Sequence, residues 1–341
     1  MYRIGVINWD CSLPPETYFG YHQTKSLSPK KFRTVTPYYA DILGEDKISY
    51  HYRTQEEIDR ELQYAIDAGI DYFAYVWYPD EGSRTHVQET YNDCAHRVYE
   101  LNYARKMHQS SALRHKLPLC AIVGLKPFAD SDLRDLALTM QEPYYECIDG
   151  RPLTYFFGGE RIDVIERLRS ICREVGTPDP FCVAMFSGGG ISDSAFAHVE
   201  ALSAYSCPGS GIDTCRELID YCLDRNEKRY SAGKPVIPQY TTGWDPGPRL
   251  DSPAPWCSYP GTNYAKFASD EELFEGARAL VEWMNSKPAG SFVGHIITFA
   301  WNEFEEGGMI CPTFNADGAT INTSRIAAFK RIADYFRANA K

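Results

Sequence analysis

Long apolar runs, a surplus of basic charge and paired cysteines are all missing from this sequence, and each absence removes a class of function. No stretch approaches the roughly 18 consecutive apolar residues that a membrane span needs, and the opening MYRIGVINWD has no charged segment followed by an apolar one. No membrane insertion is expected. A cytoplasmic protein is the expectation, with export after loss of a signal peptide as the alternative. Lys and Arg total 35 against 46 Asp and Glu, a net charge of -11, which opposes attraction to phosphate backbones and anionic lipid. Nucleic acid is not an expected partner. The eleven Cys contain no C-x-x-C pair, and the eight His contain no H-E-x-x-H, so neither a disulfide framework nor a metal site is expected. The run from Ser187 to Gly190 lacks the Lys of a phosphate-binding loop, Lys126, just past strand three, is a substrate contact or a surface lysine, and no G-x-S-x-G occurs. No cofactor is expected, and serine hydrolase chemistry is disfavoured.

What the sequence does have is length and aromatic side chains. Its 341 residues are 44% hydrophobic and 14% aromatic, with 24 Tyr, 17 Phe and 6 Trp. That is enough to bury a sizeable core, and planar rings also suit the C–H faces of sugars. Eight short runs rich in β-branched and aromatic residues, at 2–8, 70–77, 117–124, 152–157, 181–186, 201–206, 235–241 and 294–301, are separated by amphipathic stretches. Several runs are almost continuously apolar, as in parallel strands covered on both faces. Helix boundaries are also legible. Thr54 and Glu57 form a capping box ahead of an Ile58, Leu62, Ala65, Ile66 face that stops at Gly69, and Ser269 with Glu272 opens a helix carrying Leu273, Ala277, Leu280 and Met284. Eightfold strand and helix alternation predicts a (β/α)8 TIM barrel, α/β in class, formed by residues 1–341 as a single domain.

Two long connections follow strands one and seven, at 9–53 and 244–270, and should lie at the barrel end where such proteins build their sites. Strand eight ends in ITFAWNEFEEGG, so Trp301, Asn302, Glu303, Glu305 and Glu306 emerge together there. Carboxylates crowded after a buried strand repel one another, which raises the pKa of at least one. Glycosidic bond cleavage requires two such differently tuned groups. Trp9, Asp10, Trp77 and Tyr78 after strands one and two, Tyr240 on strand seven, Trp244, Asp245 and Arg249 in GWDPGPR, and Trp301 and Asn302 at the end of strand eight are the candidate sugar contacts. For Asp245 and Arg249 the alternative is a pair that pins a Pro-rich turn. Trp244, on a loop, is expected to bind sugar without supporting the fold. His295, inside strand eight, is expected to be a satisfied core residue.

The stretch FAWNEFEEGGMICPT resembles the AWNEW-x-EG signature of the WbsX-like proteins, relatives of the endo-mannosidases of glycoside hydrolase family 99. GIDYFAYVWY, DGRPLTYFF, GWDPGPR and NADGATINTSRIAAFKRI agree in the same order along the chain. The resemblance implies a retaining glycosidase in which Glu303 assists the substrate's 2-hydroxyl and Glu306 is general acid and base, both reaching one substrate if the chain bends after Asn302. Glu305 is then a bystander. Phe304 stands where Trp is usual, and Cys311 stands where another Glu is usual, which puts a sugar contact and the identity of the sugar in question. A glycosyltransferase of surface polysaccharide assembly and a non-catalytic glycan-binding barrel are the alternatives; the retained glutamates weigh against the second of these.

Overall fold

The apolar runs become strands wherever successive N–H groups can reach a neighbouring chain. In the computed structural model, which describes residues 1–79, 101–124, 128–157, 162–186, 196–208, 211–257, 259 and 268–341, eight of them form one parallel sheet. These are β1 (Arg3–Asn8), β2 (Tyr72–Val76), β3 (Leu119–Val123), β4 (Arg151–Phe157), β5 (Phe181–Met185), β6 (Ala201–Ser203), β7 (Gln239–Thr241) and β8 (His295–Phe299). The pairing runs β7-β8-β1-β2-β3-β4-β5-β6. The remaining seam, between β6 and β7, is closed by a parallel bridge between Leu202 and Val236, with Ile237 N–H donating to the Leu202 carbonyl at 3.0 Å. The sheet is therefore the expected barrel.

Most strands lose a residue or more at the ends of their apolar runs, and β6 and β7 lose at least half. Pro235 and Pro238 have no N–H to give, so only their carbonyls join neighbours and the ladder of β7 begins at Gln239. The run at 201–206 leaves the sheet after Ser203, which turns Tyr205 and Ser206 toward the barrel mouth.

Helices α1 (Tyr18–Leu27), α2 (Gln55–Asp67), α3 (Tyr103–Ser110), α4 (Asp130–Thr139), α5 (Ile162–Val175), α6 (Cys215–Ser231), α7 (Gly247–Asp251), α8 (Asp270–Asn285) and α9 (Ser324–Asn339) surround or cap the sheet. The capping boxes at Thr54/Glu57 and Ser269/Glu272 form as the sequence requires, and a third forms at Thr214/Glu217. Both long connections carry structure. The one after β1 holds α1, a 3₁₀ turn (Lys30–Val35) and a hairpin of Asp41–Gly44 with Lys47–Ser49; the one after β7 holds α7. No described helix is long and apolar enough to cross a membrane. The ten described cysteines are free thiols.

The barrel interior is plugged by tyrosine. Tyr72 and Tyr155 meet across it, hydroxyl to hydroxyl at 2.9 Å. His295 bonds Glu146 at 3.1 Å, the satisfied core position expected of it. Gly5 makes the room: a Cβ there would lie 2.1 Å from the Tyr72 ring. Gly5→Ala should therefore overpack the barrel and lower stability by about 1–3 kcal/mol in urea unfolding. An unchanged midpoint would show that the ring moves aside freely.

Candidate active site

Everything at the barrel mouth depends on how the chain leaves β8. Trp301 is still tied to the sheet, its N–H donating to the Ile7 carbonyl at 2.8 Å. Asn302–Glu303 then pairs antiparallel with Gly308–Met309, and a 3₁₀ turn (Phe304–Glu306) joins the two segments. The bend thus falls one residue later than expected, after Glu303 rather than Asn302. Gly307 completes it in the left-handed region at φ 72°. No other residue fits there, because a Cβ would lie 2.6 Å from the Asp245 nitrogen. Asp245 N–H donates to the Glu306 carbonyl at 2.8 Å, so the loop after β7 is fastened to the turn that carries the glutamates.

The turn brings Glu303 and Glu306 to one wall of a cavity of about 310 Å³. Trp9 and Phe19 contribute from the connection after β1, Tyr78 from that after β2 and Phe157 from the end of β4. Tyr205 and Ser206 follow β6, and Trp244, Trp256 and Cys257 follow β7. Tyr205 donates its hydroxyl to Glu303 Oε1 at 2.6 Å, and Tyr259 donates to Glu306 Oε1. Burial pushes the Glu303 carboxyl well above the ordinary carboxylate range, the neighbouring Glu306 charge adds to this, and the Tyr205 bond pulls the other way. Burial also raises Glu306, but the Arg249 charge and the Tyr259 bond restrain it. Two interacting carboxyls of this kind, one buried and one partly buried, titrate as a pair and share a proton over part of the pH range.

Glu305, between them, faces away. It forms a buried ion pair with Arg249 at 2.7 Å and accepts a hydrogen bond from Ser26, joining β8, the loop after β7 and α1. Arg249 also donates to Cys257 Sγ at 3.2 Å, and its guanidinium lies 5.2 Å from the Trp256 ring centre and 6.0 Å from that of Trp9. It is therefore not the partner of Asp245, whose carboxylate instead accepts from Gly247 N–H at 3.1 Å. The Asp245 and Arg249 pair considered for this turn is replaced by this arrangement.

Five further residues expected to touch sugar lie off the described cavity wall. Asp10 is paired with Arg53, which also holds Glu61. Trp77 packs under Arg105 at 3.6 Å, and Trp301 donates its indole N–H to Glu61 at 2.6 Å. Tyr240 points out of the barrel, as alternation along β7 allows, with its hydroxyl on the Leu273 carbonyl and its ring against Phe336. Asn302 is a brace: its side-chain oxygen accepts from Trp9 N–H at 2.9 Å and its amide donates to Asn8. Cys311 is buried and also off that wall. Lys126 and the segment 187–190 lie outside the described residues. Tyr205 and Tyr259 were not singled out in the sequence. The position of Tyr205 at the end of a predicted strand was a usable signal, whereas Tyr259 meets Glu306 across 47 positions with no local mark.

Trp244 is only 3% exposed and packs on Phe299 at 5.6 Å and Tyr259 at 5.9 Å. This corrects the expectation that its loss leaves stability unchanged. Trp244→Ala should cost about 3–5 kcal/mol in chemical unfolding, because a buried ring is replaced by a cavity. A neutral result would mean that the loop collapses into the space.

No family model matches the chain, and no curated protein matches it by sequence. Among solved structures it is similar to the GH99 endo-α-mannosidase of Bacteroides thetaiotaomicron in complex with Bis-Tris-propane, with a TM-score of 0.61 and 13% identity over 99% of this chain and 98% of that one. A second structure of the GH99 endo-α-mannosidase from that organism gives 0.57 and 14% over 88% and 87%. A β-glucuronidase of Ruminococcus gnavus in complex with uronic isofagomine gives 0.51 and 10% over 98% and 51%. At these identities the likeness is one of fold, and the fold this chain shares along nearly its whole length is the barrel of the family 99 endo-α-mannosidase.

Proposed function

We propose that this chain is a glycoside hydrolase of the family 99 type, cleaving a glycosidic bond of an oligo- or polysaccharide with retention through the substrate's own 2-hydroxyl. The observation that carries the proposal is the pair Glu303, buried, and Glu306, partly buried, on one wall of an aromatic cavity and each held by a tyrosine hydroxyl. The shared barrel supports it at the level of fold. Trp9 and Trp244 add buried indole N–H groups with no acceptor among the described residues. Unsatisfied buried donors are costly, and sugar hydroxyls are suitable acceptors for them.

In the first step Glu303 takes the proton of the 2-hydroxyl, whose oxygen attacks the anomeric carbon. Glu306 protonates the departing oxygen as the glycosidic bond breaks. In the second step Glu306 takes a proton from water, the water oxygen attacks the anomeric carbon as the bond from that carbon to the 2-oxygen breaks, and Glu303 returns its proton to the 2-oxygen. The cycle needs one proton, on Glu306 at the start. In the free cavity the electrostatics favour Glu303 as its holder, since burial and the charge of Glu306 raise Glu303 while Arg249 restrains Glu306. A bound sugar reverses this preference: its 2-hydroxyl donates to Glu303 and stabilises the ionised form there, leaving the proton for Glu306.

Glu306→Gln should lower turnover of ordinary glycosides by about 10²–10⁴-fold and affect substrates with activated leaving groups far less. Glu303→Gln should lower both by similar factors, because assistance to the attacking oxygen is needed whatever departs. Equal leaving-group sensitivity in the two variants would sink the division of roles, and near-normal turnover in both would sink the glycosidase proposal.

Tyr205 offers a separate check through pH. Its hydrogen bond favours ionised Glu303, so Tyr205→Phe should raise the pKa at which that group loses its proton. Less of the enzyme then carries an ionised base at low pH. The acid limb of the kcat/KM profile should therefore move to higher pH, while the basic limb, set by Glu306 with Glu303 already ionised, stays close to its original position. A shift of the acid limb to lower pH would contradict the argument.

A further inference from the structure

The aromatic lining does not stop at the cavity. Trp256, a wall residue, is in ring contact with three side chains of α1 or its first turn: Phe19 at 5.0 Å, His22 at 5.3 Å and Tyr18 at 5.5 Å. Tyr18 meets His22 at 5.0 Å, and His22 meets Tyr21 at 5.1 Å. Phe19 is buried, Trp256, Tyr18 and His22 are half-buried, and Tyr21 is 52% exposed. Trp9 joins the inner end, 6.3 Å from Trp256.

Simple core packing accounts for the inner rings but not for the outer one. A tyrosine ring placed half in water at the end of an aromatic row that begins beside the two cavity carboxyls is arranged for a ligand that leaves the cavity and continues over the surface. The charges beside the row suit a neutral ligand. Burial, followed by the charges of Lys25 and Arg249, lowers the His22 pKa, so its ring is uncharged at neutral pH. Arg249 is already committed to Glu305. Sugar rings, with apolar C–H faces and hydroxyl edges, match a row of aromatic faces carrying polar tips.

We propose that Tyr18, Tyr21 and His22, on the outer face of α1, with Trp256 form a binding strip for a neutral glycan chain that extends out of the cavity. The proposal rests on the glycosidase reading for the direction in which the chain runs, but it concerns binding beyond the cleavage site. A second protein copy is a less fitting occupant, because the strip is one row of rings continuous with a small-molecule cavity, whereas protein partners need a broad apolar patch.

The test uses full-length protein carrying Glu306→Gln, so that cleavage does not consume the probe, on an array of immobilised α-mannan, fucan and mixed bacterial polysaccharides. In that background Tyr21→Ala should weaken binding to the best-bound polymer by about tenfold, the loss of one ring contact. Tyr21→Phe should retain most of the binding. Leu138→Ala, which removes a 47% exposed side chain on α4, is the control and should bind as the parent does. Unaltered binding in Tyr21→Ala, or no polymer bound by the parent, overturns the strip. Failure of the glycosidase reading shows up separately, as no reducing sugar released from the bound polymer by the protein with Glu306 intact.

Discussion

The buried ion pair between Arg249 and Glu305 is the interaction on which the barrel mouth depends. Both side chains are almost wholly removed from water and 2.7 Å apart. Such a pair is weak evidence for net stability, because dehydration offsets much of the attraction, yet removing one partner leaves an uncompensated charge at a cost of about 3–5 kcal/mol. Its value here is geometric. Glu305 lies in the turn between Glu303 and Glu306, and Arg249 belongs to the loop that supplies Trp244 and Trp256. The pair therefore fixes the loop against the turn, and the Asp245 to Glu306 backbone bond does the same a few residues away. The guanidinium also acts on proton affinity, since its charge restrains the pKa of Glu306. One buried cation thus sets the position of the cavity's rings and biases which carboxyl is ionised.

The architecture was largely legible in the sequence because barrel strands are buried on both faces. That condition writes continuous apolar runs into the chain, and all eight runs became strands. The helix starts at Thr54 and Ser269 were legible for an equally local reason, the reciprocal side-chain bonds of a capping box. What failed was strand length where local chemistry intervened, as at Pro238. The site was legible only in part. Glu303 and Glu306 stand out because three carboxylates crowd the end of a buried strand. The side chains of Asp10, Trp77, Tyr240 and Trp301 were expected at the cavity because each follows or ends a strand. Lying at or just past a strand end does not by itself say which face a side chain takes, and these four met Arg53, Arg105, the Leu273 carbonyl and Glu61 instead. Arg249 was misjudged for another reason: its partner lies 56 positions away, and nothing local marks such a pairing.

The high tyrosine content gains a physical explanation from these contacts. A buried phenol supplies a large apolar surface and a single directional donor, and this chain uses both ends of it. Tyr72 and Tyr155 plug the barrel while satisfying each other. Tyr205 lies against Phe157 at 5.0 Å and Phe299 at 5.9 Å, so its ring is held by packing while its hydroxyl holds Glu303. Tyr259 is braced by Trp244 and holds Glu306 in the same way. Each carboxylate is therefore oriented by a donor that is itself immobilised. Such an arrangement limits reorganisation when charge shifts between the two glutamates, which is the condition for electrostatic preorganisation. It also explains why the cavity wall has to be aromatic apart from any role in stacking on sugar. A polar wall would hydrate the carboxyls and return their pKa values toward those of free carboxylates, and the difference between Glu303 and Glu306 on which the proposed acid and base roles rest would shrink with them.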